Sequence, residues 1–151
     1  MGNLAVLACA VLLAGGCASA DLPAGWEDAE RIEGLSQAPC GSSALLPDRP
    51  DEALRWQSAE TRLDIAYDHA HFRCEQEVQG FLRKAGERLD VLVQPVDMDP
   101  GAVAGCDCLY DISMQIPLAR GAYSLSLFRR WDNLNNPNPP VEIGRADIEL
   151  P

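Results

Sequence analysis

Between Cys108 and Ile116 every second residue is apolar: Cys108, Tyr110, Ile112, Met114 and Ile116 alternate with Leu109, Asp111, Ser113 and Gln115. Successive side chains of an extended strand leave opposite faces. This run therefore lays one apolar face along a β-strand, and it does not fit the 3.6-residue period of a helix. After a short connection over residues 117–120, Tyr123, Leu125 and Leu127 repeat the alternation with Ser124 and Ser126 between them. The two runs are expected to form a β-hairpin with Cys106 and Cys108 at its start.

The same period recurs along the chain. Leu63, Ile65 and Tyr67 alternate with Asp64, Ala66 and Asp68, which predicts a strand over residues 63–72. Residues 78–84 and 88–96 predict a hairpin around Ala85-Gly86-Glu87. Leu89, Val91 and Val93 of its second strand share one face, and Leu92 on the other face implies cover on both sides. Pro95 should end regular pairing there. Residues 141–150 read as a terminal strand broken at Gly144, and residues 97–105 and 132–140 as loops. Residues 51–61 stay open between a strand and a helix started by Asp48 and Pro50. Short strands set apart by turn signals predict an all-β, antiparallel β-sandwich over residues 51–151. Ahead of it, Pro23, Gly25, Gly34, Pro39, Gly41, Pro47 and Pro50 punctuate residues 17–50, which predicts an irregular tether. Trp26, Ile32 and Leu35 within it are placed to pack back as a short turn.

A chain of 151 residues suits one domain with a proper core. Its formal charge is −11 and no basic run occurs, which excludes the Lys/Arg footprint that nucleic acid requires. The first sixteen residues carry no charge, and residues 4–14 are nearly all apolar. That run is too short to span a bilayer but fits the core of a signal peptide over residues 1–16. It ends in Leu13-Ala14-Gly15-Gly16-Cys17, with Ala14 where Leu is usual. The ending resembles the lipobox of bacterial lipoproteins, in which the cysteine is acylated and becomes the new N-terminus.

That resemblance implies acylation at Cys17 and a membrane partner reached through the lipid. Several acyl chains, at about 0.8 kcal/mol per buried CH₂, hold a protein stably without a spanning helix. No Asp follows Cys17, so the outer membrane is the expected location. The alternative is a periplasmic or secreted protein cleaved after Ala18 or Ala20, since Ala18-Ser19-Ala20 is an A-x-A site.

Two further resemblances bear on the sandwich. Residues 117–127, where Gly121-Ala122-Tyr123 enters an alternating strand, resemble the last hairpin of bacterial immunoglobulin-like and prealbumin-like sandwich domains. His69–Phe72–Cys74, Cys106-Asp107-Cys108-Leu109-Tyr110-Asp111 and Gly121–Tyr123 together resemble a set of bacterial exported domains to which no activity attaches.

Cys9 leaves with the leader and Cys17 takes the lipid, so Cys40, Cys74, Cys106 and Cys108 remain. An even number in an exported chain predicts two disulfides. Cys106 and Cys108 are poor partners for one another, because alternate strand residues lie roughly 6–7 Å apart at Cα. Each should reach a distant cysteine, Cys40 or Cys74, so that one bridge fastens the tether and the other the strand over 63–72. An alternative reading is a zinc or copper site built from His69 and His71, two apart on a strand, with Cys74, Cys106 and Cys108. Cys74 beside either histidine would be the only thiol dyad to propose. No nucleophile elbow, phosphate loop or His-Glu-x-x-His is present, and Asp97-Met98-Asp99-Pro100-Gly101 is turn chemistry rather than a calcium loop. The expected protein is an exported, lipid-anchored structural or interaction module with an envelope partner. It is expected to be no enzyme and, outside the metal alternative, to need no cofactor.

Overall fold

A computed structural model describes residues 21–43, 48–99, 101, 105–134 and 139–151. The leader, with Cys9 and the lipidation candidate Cys17, lies outside the described residues. Among them there is no helix, and ten strands occur. These are β1 (Glu30–Arg31), β2 (Ser36–Gln37), β3 (Ser42–Ser43), β4 (Ala53–Ala59), β5 (Arg62–Arg73), β6 (Val78–Ala85), β7 (Arg88–Pro95), β8 (Asp107–Pro117), β9 (Gly121–Arg129) and β10 (Val141–Leu150). They form two sheets, ordered β1-β6-β7-β9-β10 and β2-β8-β5-β4, with β3 also on β8. Every neighbouring pair is antiparallel except β7 and β9, which run parallel.

The alternation does what the pleat requires. Leu63, Ile65, Tyr67, Ala70 and Phe72 of β5 meet Cys108, Tyr110, Ile112, Met114 and Ile116 of β8. Leu89, Val91 and Val93 of β7, Leu125 and Leu127 of β9, and Ile148 and Leu150 of β10 close the same core from the other sheet. The step of three between Tyr67 and Ala70 marks a β-bulge: Tyr67 stands opposite Ile112 and Ala70 opposite Tyr110. One extra residue on β5 keeps the apolar side chains inward on both sides of the break. His69, inside it, takes a positive φ of 55°.

The expected hairpin of the two alternating runs does not form. β8 lies between β5 and the β2/β3 segment, whereas β9 crosses to the other sheet and pairs with β7 and β10. Leu118 in the connection is buried and donates its N–H to the Thr61 carbonyl, 3.0 Å away. Alternation fixes which face of a strand is buried; it does not fix which edge pairs with which. Residues 51–61 resolve as β4 and its turn into β5, with Ala59 opposite Arg62.

Residues 78–95 form the expected hairpin, turned at Gly86 with φ 62°, a value that suits a residue lacking Cβ. Its second strand is covered on both faces, as Leu92 implied. Trp26, Phe81 and Leu92 form a separate buried cluster on the outer face. Trp26 meets the Phe128 ring edge-on at 5.6 Å and lies under the Arg83 guanidinium at 4.5 Å.

The stretch expected as a tether is stitched to both sheets. β1 pairs with β6, and Ile32 N–H donates to Gly80. From Ser36 to Ser43 the chain follows β8 in two pieces, opposite Ser113–Ile112 and then Leu109–Cys108. Pro39, with no N–H to give, interrupts the ladder between them. At the opposite flank β10 approaches β4 so closely that a Cβ on Gly144 would stand 3.0 Å from Leu54 Cβ. The strand is bulged at that point, between Glu142 and Gly144.

Candidate functional site

Four cysteines converge at one end of β5 and β8. Cys40 is bridged to Cys108 and Cys74 to Cys106, with Cα separations of 5.6 and 5.5 Å. The CxC spacing thus sends its two members to different distant partners, one in the N-terminal stretch and one just past β5. Cys74 follows Arg73 into a turn in which Glu75 adopts φ 62° and Gln76 N–H returns to the Arg73 carbonyl at 3.3 Å. The Tyr110 hydroxyl donates to that same carbonyl at 3.0 Å. The bridges touch: Cys74 Sγ lies 3.2 Å from Cys108 Sγ. Both atoms are in disulfides and neither carries a proton, so this is a sulfur–sulfur contact and not a hydrogen bond. Cys108 is buried and Cys40 exposed, beside an open hollow of about 610 Å³ lined by Gln37, Glu75, Gln76 and Tyr110 among others.

The two histidines engage different neighbours, because the bulge breaks the alternation that would have set them side by side. His69 N–H donates to Asp111 Oδ1 at 3.2 Å, and its Nδ1 lies 3.1 Å from the Asp51 carbonyl. His71 Nδ1 lies 3.1 Å from Arg49 Nη1. A guanidinium can only donate, so Nδ1 accepts and the proton sits on Nε2. That nitrogen faces Asp107 Oδ2 at 3.4 Å, within ion-pair reach and long for a hydrogen bond. The ring also meets Trp131 edge-on at 4.8 Å.

For the metal alternative the structure brings Cys74, Cys106 and Cys108 together, but as disulfides they offer no thiolate. Among the described residues no three His, Cys, Asp or Glu side chains form a group able to hold a metal ion. Nor is Cys74 a free thiol beside His69 or His71, as the dyad would need.

Around His71 lies an ionic cluster with no sequence signature. β4 begins only at Ala53, opposite Asp68, while β5 runs on to Arg73 and leaves a bare edge. Side chains complete it. His71 N–H donates to Glu52 Oε1 at 2.9 Å, and the His71 carbonyl accepts from Arg129 Nη1 at 3.1 Å. Arg129 lies 3.5 Å from Glu52 Oε2, so the pair imitates the missing strand. The Tyr67 hydroxyl donates to the same Glu52 oxygen. Burial first, and then the Glu52 charge, raise the Tyr67 phenol far above its ordinary range. Such a cap denies the edge to another strand.

Next to it, Asp132 is 1% exposed and accepts from Arg73 Nε and Gln76 Nε2, both at 2.8 Å, and from Leu134 N–H at 3.2 Å. Burial opposes its ionisation, but the Arg73 and Gln76 hydrogen bonds outweigh that and hold its carboxyl below the usual carboxylate range. Trp131 is flanked by Arg129 and Arg73, at 5.3 and 5.6 Å from its centroid. These cations are paired, and the arrangement is architectural: it clamps the β5 edge beside the disulfide knot.

Burial pushes the His71 pKa below its ordinary 6.5, with Asp107 opposing and Arg129 and Arg49 adding to the fall. A depressed histidine favours the neutral folded form. Its contribution is intact above the unfolded pKa and is lost as pH falls through that value towards the folded one. We expect the urea midpoint to drop between pH 7.5 and 5.5 by more in the wild type than in His71→Gln. Equal slopes for the two proteins in that window would remove His71 as the cause.

The chain matches no protein-family model, no curated protein and no solved structure.

Proposed function

We propose that the chain is an exported lipoprotein of the bacterial cell envelope, acylated at Cys17 and held at the outer membrane by that anchor. Its disulfide-pinned sandwich serves as a structural or interaction module for another envelope protein, without enzymatic activity. The observation that carries this reading is the uncharged apolar leader ending in Leu13-Ala14-Gly15-Gly16-Cys17. Two disulfides among the described residues support export, because such bridges persist in oxidising compartments. The fold type we infer is immunoglobulin-like or prealbumin-like. In support, the Tyr123 hydroxyl at the start of β9 donates back to the Ala119 carbonyl at 2.9 Å. That is the geometry of the tyrosine corner in Greek-key sandwiches. The parallel β7–β9 pair departs from a purely antiparallel layout.

The test is metabolic labelling of producing cells with radioactive palmitate. The wild type should take up label and sediment with membranes, and Cys17→Ser should lose both properties. Label retained in Cys17→Ser rules the anchor out. A wild type that takes up no label leaves the secreted form, cleaved after Ala18 or Ala20, in its place.

A further inference from the structure

The contact between the two bridges gives the cysteines a second connectivity. We propose that Cys40, Cys74, Cys106 and Cys108 form a thiol–disulfide exchange site for a dithiol, which enters at Cys40 and leaves a new Cys74–Cys108 bridge behind. The inference rests on the two bridges alone, so it and the anchor reading fail independently.

The order of steps follows from exposure and distance. Of the four residues Cys40 is exposed, Cys74 and Cys106 are half-buried, and Cys108 is buried. The open hollow beside Cys40 admits an attacking group there. One thiolate of the dithiol attacks Cys40 Sγ: a sulfur–sulfur bond forms to Cys40 and the Cys40–Cys108 bond breaks, leaving its electron pair on Cys108. A thiolate on Cys108 is poorly solvated at that depth, and the sulfur beside it is Cys74 Sγ at 3.2 Å. Attack on Cys74 forms Cys74–Cys108 and breaks Cys74–Cys106. The negative charge thereby passes from the buried residue to Cys106, which lies nearer solvent and takes a proton. The second thiolate of the dithiol then attacks the dithiol's first sulfur: a disulfide forms within the dithiol, the bond to Cys40 breaks, and Cys40 leaves as a thiolate that takes up the proton. In sum the dithiol is oxidised to a disulfide. The chain gains two electrons and two protons and ends with one bridge and two thiols, on Cys40 and Cys106.

The product keeps the end of β5 tied to β8, because Phe72 and Cys108 are opposite in the ladder and Cys74 N–H already donates to the Cys106 carbonyl at 3.0 Å. What it loses is the covalent hold on the N-terminal stretch. The Ser36–Ser43 pairing and the Gln37 side chain then hold that stretch alone; Gln37 accepts from Val78 N–H at 3.0 Å and donates to the Gln76 carbonyl at 2.9 Å. A redox partner thus acts on the attachment of the N-terminal stretch while leaving the sandwich stapled.

The purified protein is exposed to dithiothreitol for graded times, quenched with an alkylating agent in acid, and its two-electron-reduced form is mapped by mass spectrometry. The expected form carries label on Cys40 and Cys106 and a Cys74–Cys108 bridge. Label on Cys40 and Cys108 with Cys74–Cys106 intact, or on Cys74 and Cys106 with Cys40–Cys108 intact, overturns the proposal. So does passage to four thiols with no Cys74–Cys108 form at any time. A second protein, Cys40→Ser with Cys106→Ser, decides whether the new bridge fits the fold: no alkylation at Cys74 or Cys108 after air oxidation supports it, and alkylation at both refutes it.

Discussion

Replacing both Cys40 and Cys108 by alanine is expected to lower the free energy of unfolding by about 4 kcal/mol, read as a fall in the guanidinium midpoint. The bridge joins residues 68 apart in sequence, so it removes much of the freedom of the unfolded chain. The Cys74–Cys106 bridge, spanning 32, is nested inside it and shortens the loop the outer bridge effectively closes. Both members are replaced together because a lone Cys108 thiol would sit beside Cys74 and reshuffle. The same pair of substitutions should leave far-ultraviolet circular dichroism unchanged in the absence of denaturant, since the sheets carry their own core. A loss of less than about 1 kcal/mol would mean that the unfolded chain is already compact around this segment, and the entropic account would then be wrong.

Asp132→Ala should cost about 3–5 kcal/mol, the usual range for breaking one side of a buried ion pair. The alanine removes the acceptor for Arg73, whose side chain is 14% exposed, and for the Gln76 amide. It leaves the Arg73 guanidinium charged with little water to replace the carboxylate. Asp132→Asn keeps one oxygen, which can serve Leu134 N–H at the Oδ1 position or Arg73 and Gln76 at the Oδ2 position but not both, and should fall between the alanine variant and the wild type. Urea titration of the three proteins at pH 7 gives the order directly. Alanine and asparagine losing the same stability would show that charge, and not hydrogen bonding, dominates at this carboxylate.

Much of the architecture was legible because burial on a pleated strand writes itself as period two. Leu63 to Tyr67, Leu89 to Val93 and Cys108 to Ile116 each named their inward residues, whereas the bulge between Tyr67 and Ala70 was not foreseen. Cys106 and Cys108 each reach a distant cysteine, as their poor spacing for one another on a strand led one to expect. Strand partnership was not legible. The run from Tyr123 to Leu127 looks the same whether its edge meets β8 or β7, and the parallel β7–β9 pair is decided by how two sheets close over one core. The clamp on the β5 edge was hidden for a different reason. Glu52, Arg129 and Asp132 are ordinary charged residues in sequence, and they acquire meaning only where β4 stops short of β5. Histidines two apart looked like a donor pair until the inserted residue separated their neighbours.

Nesting one bridge inside the other has a mechanical corollary. A pull on the chain from its N-terminal side can draw out backbone only as far as Cys40. Beyond that point the load passes through sulfur to Cys108 on β8, a strand flanked on both sides, and not residue by residue along the chain. Up to about 230 Å of extended chain, the length of the 68-residue span, stays out of reach of that pull. Everything from β4 to the start of β8 is therefore shielded from tension; opening Cys40–Cys108 puts β4 and β5 in series with it, while β6 and β7, inside the Cys74–Cys106 loop, stay bypassed.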